Sequence, residues 1–263
     1  MVADSQYSDG VIQGMQMLYG EGFLSPGGPD EVGQLLNGVD PAGMRVLDMG
    51  SGLGGCAIML VRDFGAGHVT GIDIEPDLVA RAASAVGDAG LHERIAFQTV
   101  EPGPLPQADQ TFDLVVTKDV ICHVPDKVSV LTEICRVLKP GGAYLCADFF
   151  DASGNQATND DAKGFYQAYV DGMKAYGLSF YFEPQSVYEN ALASAGLELF
   201  DLRDHTAISA NTERSFLASD QAGAVKFALG DDRFQARCKA TTMRHKALET
   251  RGLLHGHIHA RKR

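Results

Sequence analysis

A doubly wound α/β sheet follows from three features of this 263-residue chain. From Met44 onward, short aliphatic runs alternate with stretches whose apolar residues recur at helical spacing. "RVLDMGSGLGG" (Arg45–Gly55) joins the first such run to the first helix through a loop with four glycines in six residues. Aspartates close the first two strands, Asp48 in "VLDMG" and Asp73 in "GIDI". Ligands of such a sheet bind outside the carboxyl ends of its strands, so those ends are where the chemistry is expected.

The elements follow in order. Residues 1–40 are a lead-in, with a helix around Val11–Tyr19, the turn-dense "GEGFLSPGGPD", and a short helix in "GPDEVGQLLNGVD". That helix has Asp30 near its start and is ended by Asn37-Gly38. "MRVLDMG" is strand one and Cys56–Phe64 the helix after it. "HVTGIDI" is strand two, and the next helix runs from Pro76, well placed where its missing N–H costs nothing, to about Ala89. "RIAFQTV" is strand three, "TFDLVVTKDV" carries strand four, "DKVSVLTEICRVL" is a helix, and "KPGGAYLCADFF" is a turn feeding strand five. An insertion at Asp151–Glu183, with Tyr166, Tyr169, Tyr176 and Tyr181, reads as a lid. "PQSVYENALASAGLELFDLRDHT" is a helix–strand pair, Asn211–Thr250 is helical, and "LLHGHIHARKR" alternates like a last strand. The expected organisation is a lead-in lid (1–40), a binding core (41–150), a substrate lid (151–183) and the second half of the sheet (184–263).

Composition narrows the function. The chain is 45% hydrophobic and 21% charged, as in a globule able to bury a core. A net charge of −12 and a pI near 5.0 argue against a nucleic-acid partner and agree with a cationic ligand. No apolar run reaches the length of a membrane span, and "MVADSQYSDG" reads as no secretion signal. Five scattered cysteines read as reduced thiols, so a cytoplasmic location is expected. Monomer and homodimer both remain open.

"GSGLGG" between a strand and a helix satisfies the dinucleotide pattern G-x-G-x-x-G, so an NAD(P)-dependent oxidoreductase is the first rival. Asp48 tilts the choice. A carboxylate two residues before the loop repels a pyrophosphate and attracts a ligand carrying an ammonium and a sulfonium. Such a pair at ~4 Å and an effective dielectric near 20 is worth about 4 kcal/mol before desolvation. Asp73 can accept both ribose hydroxyls. S-adenosylmethionine suits both aspartates. Glu101 follows strand three, where adenine contacts arise. Lys118, Asp119 and His123, in "TKDVICHV", follow strand four and should face the cleft.

With "VLDMGSGLGG", "GIDI" and "VLKPGG" (Val137–Gly142), residues 44–150 resemble the class I S-adenosylmethionine-dependent methyltransferases, a Rossmann-like fold. "QYSDGVIQGMQMLYGEGFLSPGG" (Gln6–Gly28) and the closing "GHIHARK" are similar to the phosphoethanolamine N-methyltransferases. The resemblance implies a methyl donor held by Leu24, Ser25, Asp48, Gly50, Gly52, Asp73, Ile74, Glu101 and Lys118, and a substrate pocket with Gln6 and Asp119. It implies a Tyr7–His123 pair that latches the site and handles the proton, with Arg244 near the phosphate. Tyr169, Lys174 and Tyr181 fall near phosphate positions. Two departures stand out: Lys118 replaces an arginine, and Phe149 replaces a tyrosine. They leave room for sarcosine or dimethylglycine as the acceptor.

The reaction expected is N-methylation of a small amine. His123, with an ordinary pKa near 6.5, is the expected base, and Asp119 the group that orients the ammonium. Two other signals have plainer readings. His255, His257 and His259 alternate on one strand face and read as solvated histidines rather than metal ligands. Phe165, Tyr166 and Tyr169 are spaced as a helix face that suits core packing or a cation cage.

Overall fold

The computed structural model describes residues 7–152, 159–174, 178–217 and 222–263. Among them seven strands form one sheet: β1 (Arg45–Met49), β2 (His68–Asp73), β3 (Ile95–Thr99), β4 (Phe112–Lys118), β5 (Leu138–Asp151), β6 (Leu197–Asp204) and β7 (Leu253–Lys262). Their order across the sheet is β3-β2-β1-β4-β5-β7-β6. β1 to β5 pair in parallel, whereas β7 runs antiparallel between β5 and β6. The order reverses between β1 and β4, which places the ligand crevice over those two strand ends.

Alternate residues of the central strands enter two cores, as a sheet covered on both faces requires. Val46, Leu114, Val116 and Leu145 pack against α2 (Gly28–Leu35) and α3 (Gly55–Arg62) through Val32, Leu35, Leu60 and Val61. Leu47, Val115, Tyr144 and Cys146 pack against α5 (Lys127–Val137) and α7 (Gln185–Ala195) through Leu131, Ile134, Tyr188 and Leu192. α1 (Asp9–Tyr19) precedes the sheet, and α4 (Pro76–Asp88) begins on its proline.

The structure differs from expectation in two elements. The single helical stretch over Asn211–Thr250 is three helices: α8 (Thr206–Leu217), α9 (Ala222–Leu229) and α10 (Asp231–Glu249). Gly230, with φ +76°, breaks the chain between the last two. The Lys139–Gly142 turn lies inside β5 rather than before it. Leu138 pairs with Phe112 and Ala143 with Leu114, so the ladder resumes beyond the turn.

In the insertion, α6 (Asp160–Lys174) packs on α10. Tyr169, Met173, Phe149 and Phe182 share a cluster with Ala240 and Ala247. Tyr176 lies outside the described residues. The cysteines are free thiols, three of them buried. No helix among the described residues is long and apolar enough to cross a membrane.

Candidate active site

A cavity of about 1090 Å³ lies over the carboxyl ends of β1, β2, β4 and β5. Its far walls come from the lead-in (Tyr7, Leu24), from α6 (Tyr169, Met173) and from α10 (Arg237, Arg244).

One half is built by the glycine loop. Gly50 takes φ +76°, and a Cβ there would lie 2.3 Å from Val120 Cγ2, so no larger residue fits. Its N–H and that of Ser51 both donate to the Ile72 carbonyl, tying the loop to β2. Asp73 then fixes the loop from below. Its Oδ2 accepts the Gly52 N–H at 2.8 Å and its Oδ1 the Glu75 N–H at 3.0 Å. Each oxygen keeps a second lone pair for a ligand hydroxyl. Asp48, at the end of β1, is buried and its Oδ2 has no hydrogen-bond partner. Burial, reinforced by the Asp73 carboxylate, raises its pKa to about 7. An orphaned buried carboxylate oxygen at a cavity wall is a receptor for a cation. Beyond Asp73, Ile74 is 56% exposed where it lines the cavity, an apolar platform suited to a planar ring.

The other half gathers around the end of β4. Asp119 adopts φ +57°, a strained left-handed conformation that short polar residues tolerate best. Its Oδ2 accepts from Lys118 Nζ at 2.7 Å, and its Oδ1 has no hydrogen-bond partner. His123 ends a 3-10 turn at Ile121–His123, and its Nδ1 lies 2.8 Å from the Ser179 carbonyl. A carbonyl can only accept, so Nδ1 carries the proton and Nε2 the basic lone pair. The ring stacks on Phe180 at 4.7 Å, and the packed surroundings lower its pKa below 6.5 although its edge is open to the cavity. Phe149, Phe180 and Met173 make this side apolar.

Arg237 and Arg244 lie two helical turns apart on α10, and both donate to the Tyr19 hydroxyl, Arg244 at 3.2 Å. Arg237 sits over the Tyr19 ring at 5.5 Å and Arg244 over the Tyr169 ring at 5.7 Å. Among the described residues the partner of the Arg237 guanidinium is Tyr19 rather than a carboxylate. Two guanidinium groups converging on one phenol make a cationic wall fit for an anionic group.

A methyltransferase-domain family model matches residues 40–191, more than half of the chain. The chain belongs to the methyltransferase-domain family. Phosphoethanolamine N-methyltransferase 2 of Caenorhabditis elegans is 32% identical to this methyltransferase over 159 residues, covering 58% of this chain and 35% of that protein. The chain thus spans about a third of that relative's length. The structure of the Haemonchus contortus phosphoethanolamine N-methyltransferase 2, solved with phosphomonomethylethanolamine and S-adenosylhomocysteine, superposes with a TM-score of 0.80 at 22% identity. That match covers 98% of this chain and 58% of the other. A candidate sarcosine dimethylglycine methyltransferase from Galdieria sulphuraria gives a TM-score of 0.70 at 23% identity, covering 89% and 84%. At these identities the structural likenesses speak for the fold.

Within the methyltransferase, the cavity brings together Tyr7, Leu24, Ser25, Asp48, Gly50, Gly52, Asp73, Ile74, Glu101, Lys118, Asp119, His123, Tyr169 and Arg244. Tyr7 packs with Leu24 against Ile12, Leu53 and Leu78. Gln6 lies outside the described residues. Several expectations need correction. Tyr181 does not line the cavity; its N–H donates to the Cys122 carbonyl and its own carbonyl accepts from Lys127, so the backbone is what it contributes. Lys174 is exposed and also off the cavity. Lys118 lines the cavity, yet its ammonium has four protein acceptors: Ser25 Oγ, the Pro26 carbonyl, Asp119 and Glu31. Three N–H donors facing four acceptors leave none for a cofactor. Phe165 and Tyr166 pack on the α6–α10 cluster away from the cavity, which is core packing rather than a cage.

The histidines of β7 are not solvated. His255, His257 and His259 are all buried, because β7 lies inside the sheet and α2 covers that face. Glu31 Oε1 lies 3.2 Å from His255 Nε2 and 3.5 Å from His257 Nε2. No group of His, Cys, Asp or Glu among the described residues is arranged to hold a metal. Glu31 and Arg237 escaped the sequence reading. The signals for them were an acid on the apolar Gly28–Val32–Leu35 stripe of α2, and two arginines at i, i+7 on α10.

Proposed function

We propose that this chain transfers a methyl group from S-adenosylmethionine to the nitrogen of a small amine, phosphoethanolamine or one of its methylated forms. The observation that carries the reading is Asp119 beside His123, a carboxylate and a base sharing one cavity with the Asp48–Asp73 half. The residues present fit the methyl donor. Asp48 has an unpartnered oxygen for its positive groups, Asp73 has lone pairs for ribose hydroxyls, and Ile74 offers the adenine a flat apolar surface. Once bound, the donor supplies a methyl group already activated by its positive sulfur.

The chain's own residues do the rest. Asp119 receives the protonated amine and aims its nitrogen. His123 Nε2 takes the proton, since an ammonium cannot attack, and the Ser179 carbonyl holds the imidazole in the required tautomer. Phe149, Phe180 and Leu24 keep water from the reacting atoms. Arg237 and Arg244 hold the phosphate, and the names of the nematode relatives support that assignment. A second reading, sarcosine or dimethylglycine, is favoured by Phe149, which offers no hydroxyl where the family resemblance expects one; the arginine pair would then hold a carboxylate.

An acceptor panel tests both, with demethylated cofactor as the readout. Turnover is expected with phosphoethanolamine and its mono- and dimethyl forms. Arg237→Gln should raise the KM of these acceptors about tenfold, the scale of one charge-assisted contact, and leave that of unphosphorylated ethanolamine unchanged. Turnover confined to sarcosine and dimethylglycine selects the second reading. A panel in which no amine reacts removes the amine acceptor altogether.

A further inference from the structure

A buried group of charges reaches from behind the acceptor half of the cavity to its wall. Glu31 comes from α2, Lys118 and Asp119 from the end of β4, and His255 and His257 from β7. Glu31 and Lys118 meet at 3.0 Å with side chains only 9% and 7% exposed. Burial raises the Glu31 pKa, but Lys118, His255 and the His257 contact outweigh it and hold the carboxyl well below the usual carboxylate range. Ser209 Oγ, 2.7 Å from His255 Nδ1, fixes that ring from its far side.

The charges do not cancel. Counting Glu31, Asp119 and Lys118, two carboxylates surround one ammonium, a surplus of one negative charge. Glu31 Oε1 has His255 and His257, and Glu31 Oε2 has Lys118. Asp119 Oδ2 also has Lys118. Of the four carboxylate oxygens only Asp119 Oδ1 has no hydrogen-bond partner, with His255 Nε2 3.9 Å away. The surplus therefore falls on Asp119, the carboxylate of the two that lines the cavity, its side chain 10% exposed.

We propose that Glu31 is a positioning residue for methyl transfer: by occupying the Lys118 ammonium, it leaves Asp119 with a net negative charge for the acceptor's ammonium. The same lysine bonds Ser25 Oγ at 2.8 Å and the Pro26 carbonyl at 2.6 Å, so the network also ties the lead-in over the cofactor half. The charge balance thus sets acceptor affinity, and the lysine links set cofactor affinity. This rests on the amine reading.

The two effects separate in a pair of variants. In Glu31→Gln the triad is neutral, since Lys118 now offsets Asp119, and the amine KM should rise about tenfold at saturating S-adenosylmethionine. In the double variant Glu31→Gln/Lys118→Met, Asp119 again carries the uncompensated charge, and the amine KM should return to within about threefold of wild type. Cofactor Kd should behave oppositely, worst in the double variant, where Ser25 and Pro26 are released. A residue that merely packs α2 would give a double variant no better than the single one, and that result overturns the proposal, as does an unchanged KM in Glu31→Gln. Should Glu31→Gln fail to fold, the double variant decides alone: a near-wild-type KM supports the charge balance, and a raised one overturns it. Wild-type enzyme that turns over no amine fails separately, taking down the amine reading and this proposal with it.

Discussion

His123 shows how much chemistry one hydrogen bond can assign. The Ser179 carbonyl forces the proton onto Nδ1, and the packed surroundings lower the pKa of the ring and so favour its neutral form. Neutral imidazole is the form that accepts a proton, so at saturating S-adenosylmethionine the acid limb of the kcat/KM profile should lie below the ordinary histidine range. His123→Ala should lower turnover about a hundredfold, the usual loss of an acid–base group, with cofactor affinity unchanged. A steady-state pH series on both proteins checks this. Which residues could be read in advance follows from what defines them. Asp48, Asp73, Asp119 and His123 were legible because a strand end alone places a residue at the crevice. Glu31 and Arg237 owe their place to neighbours distant in sequence, such as Lys118 and Tyr19, and a single helix stripe does not name those neighbours.

At the level of elements, the lead-in and the glycine loop touch backbone to backbone. The Gly55 N–H donates to the Gly22 carbonyl at 3.2 Å, and a Cβ on Gly55 would lie 2.7 Å from that oxygen. Gly22 itself takes φ +82°, with its virtual Cβ 2.8 Å from Gly55 Cα. "GEG" and "GLGG" are thus one contact made by two distant glycine runs. Gly55→Ala should push the lead-in outward and weaken S-adenosylmethionine binding about tenfold, while hydrogen exchange accelerates at residues 20–28 and stays slow in β1 and β4. The parallel strands and their helices were legible from apolar spacing. The burial of the β7 histidines was not, because period-two alternation marks a half-exposed strand as readily as one with a polar network on one face. The break between α9 and α10 was missed because it depends on the conformation of one glycine, Gly230, in an otherwise helical run.

For the molecule as a whole, two buried aspartates couple stability to pH. Burial, aided by Asp73, raises the pKa of Asp48 to about 7, and burial aided by Asp119 does the same for Asp148. An aspartate in the unfolded chain titrates near 4. A carboxyl whose pKa rises on folding stabilises the fold while protonated, so this contribution is complete below about pH 4 and is lost as the pH climbs through about 7. Asp48→Asn should therefore raise the Tm of the ligand-free protein at pH 8 by several degrees and change it little at pH 5. The same substitution should weaken S-adenosylmethionine binding at pH 8. For wild type, binding should weaken about tenfold between pH 8 and pH 6, because the donor's positive charge must then displace a proton from Asp48. Calorimetry and thermal melts over that range test both statements.

The antiparallel β7 also bears on how the chain assembles. β6 pairs only with β7 among the described strands, and β7 follows every other strand in sequence. Because β7 lies between β5 and β6, β6 takes its native place only once β7 has been made, and the docking that seats β7 also brings His255 and His257 to Glu31 behind the acceptor half of the cavity.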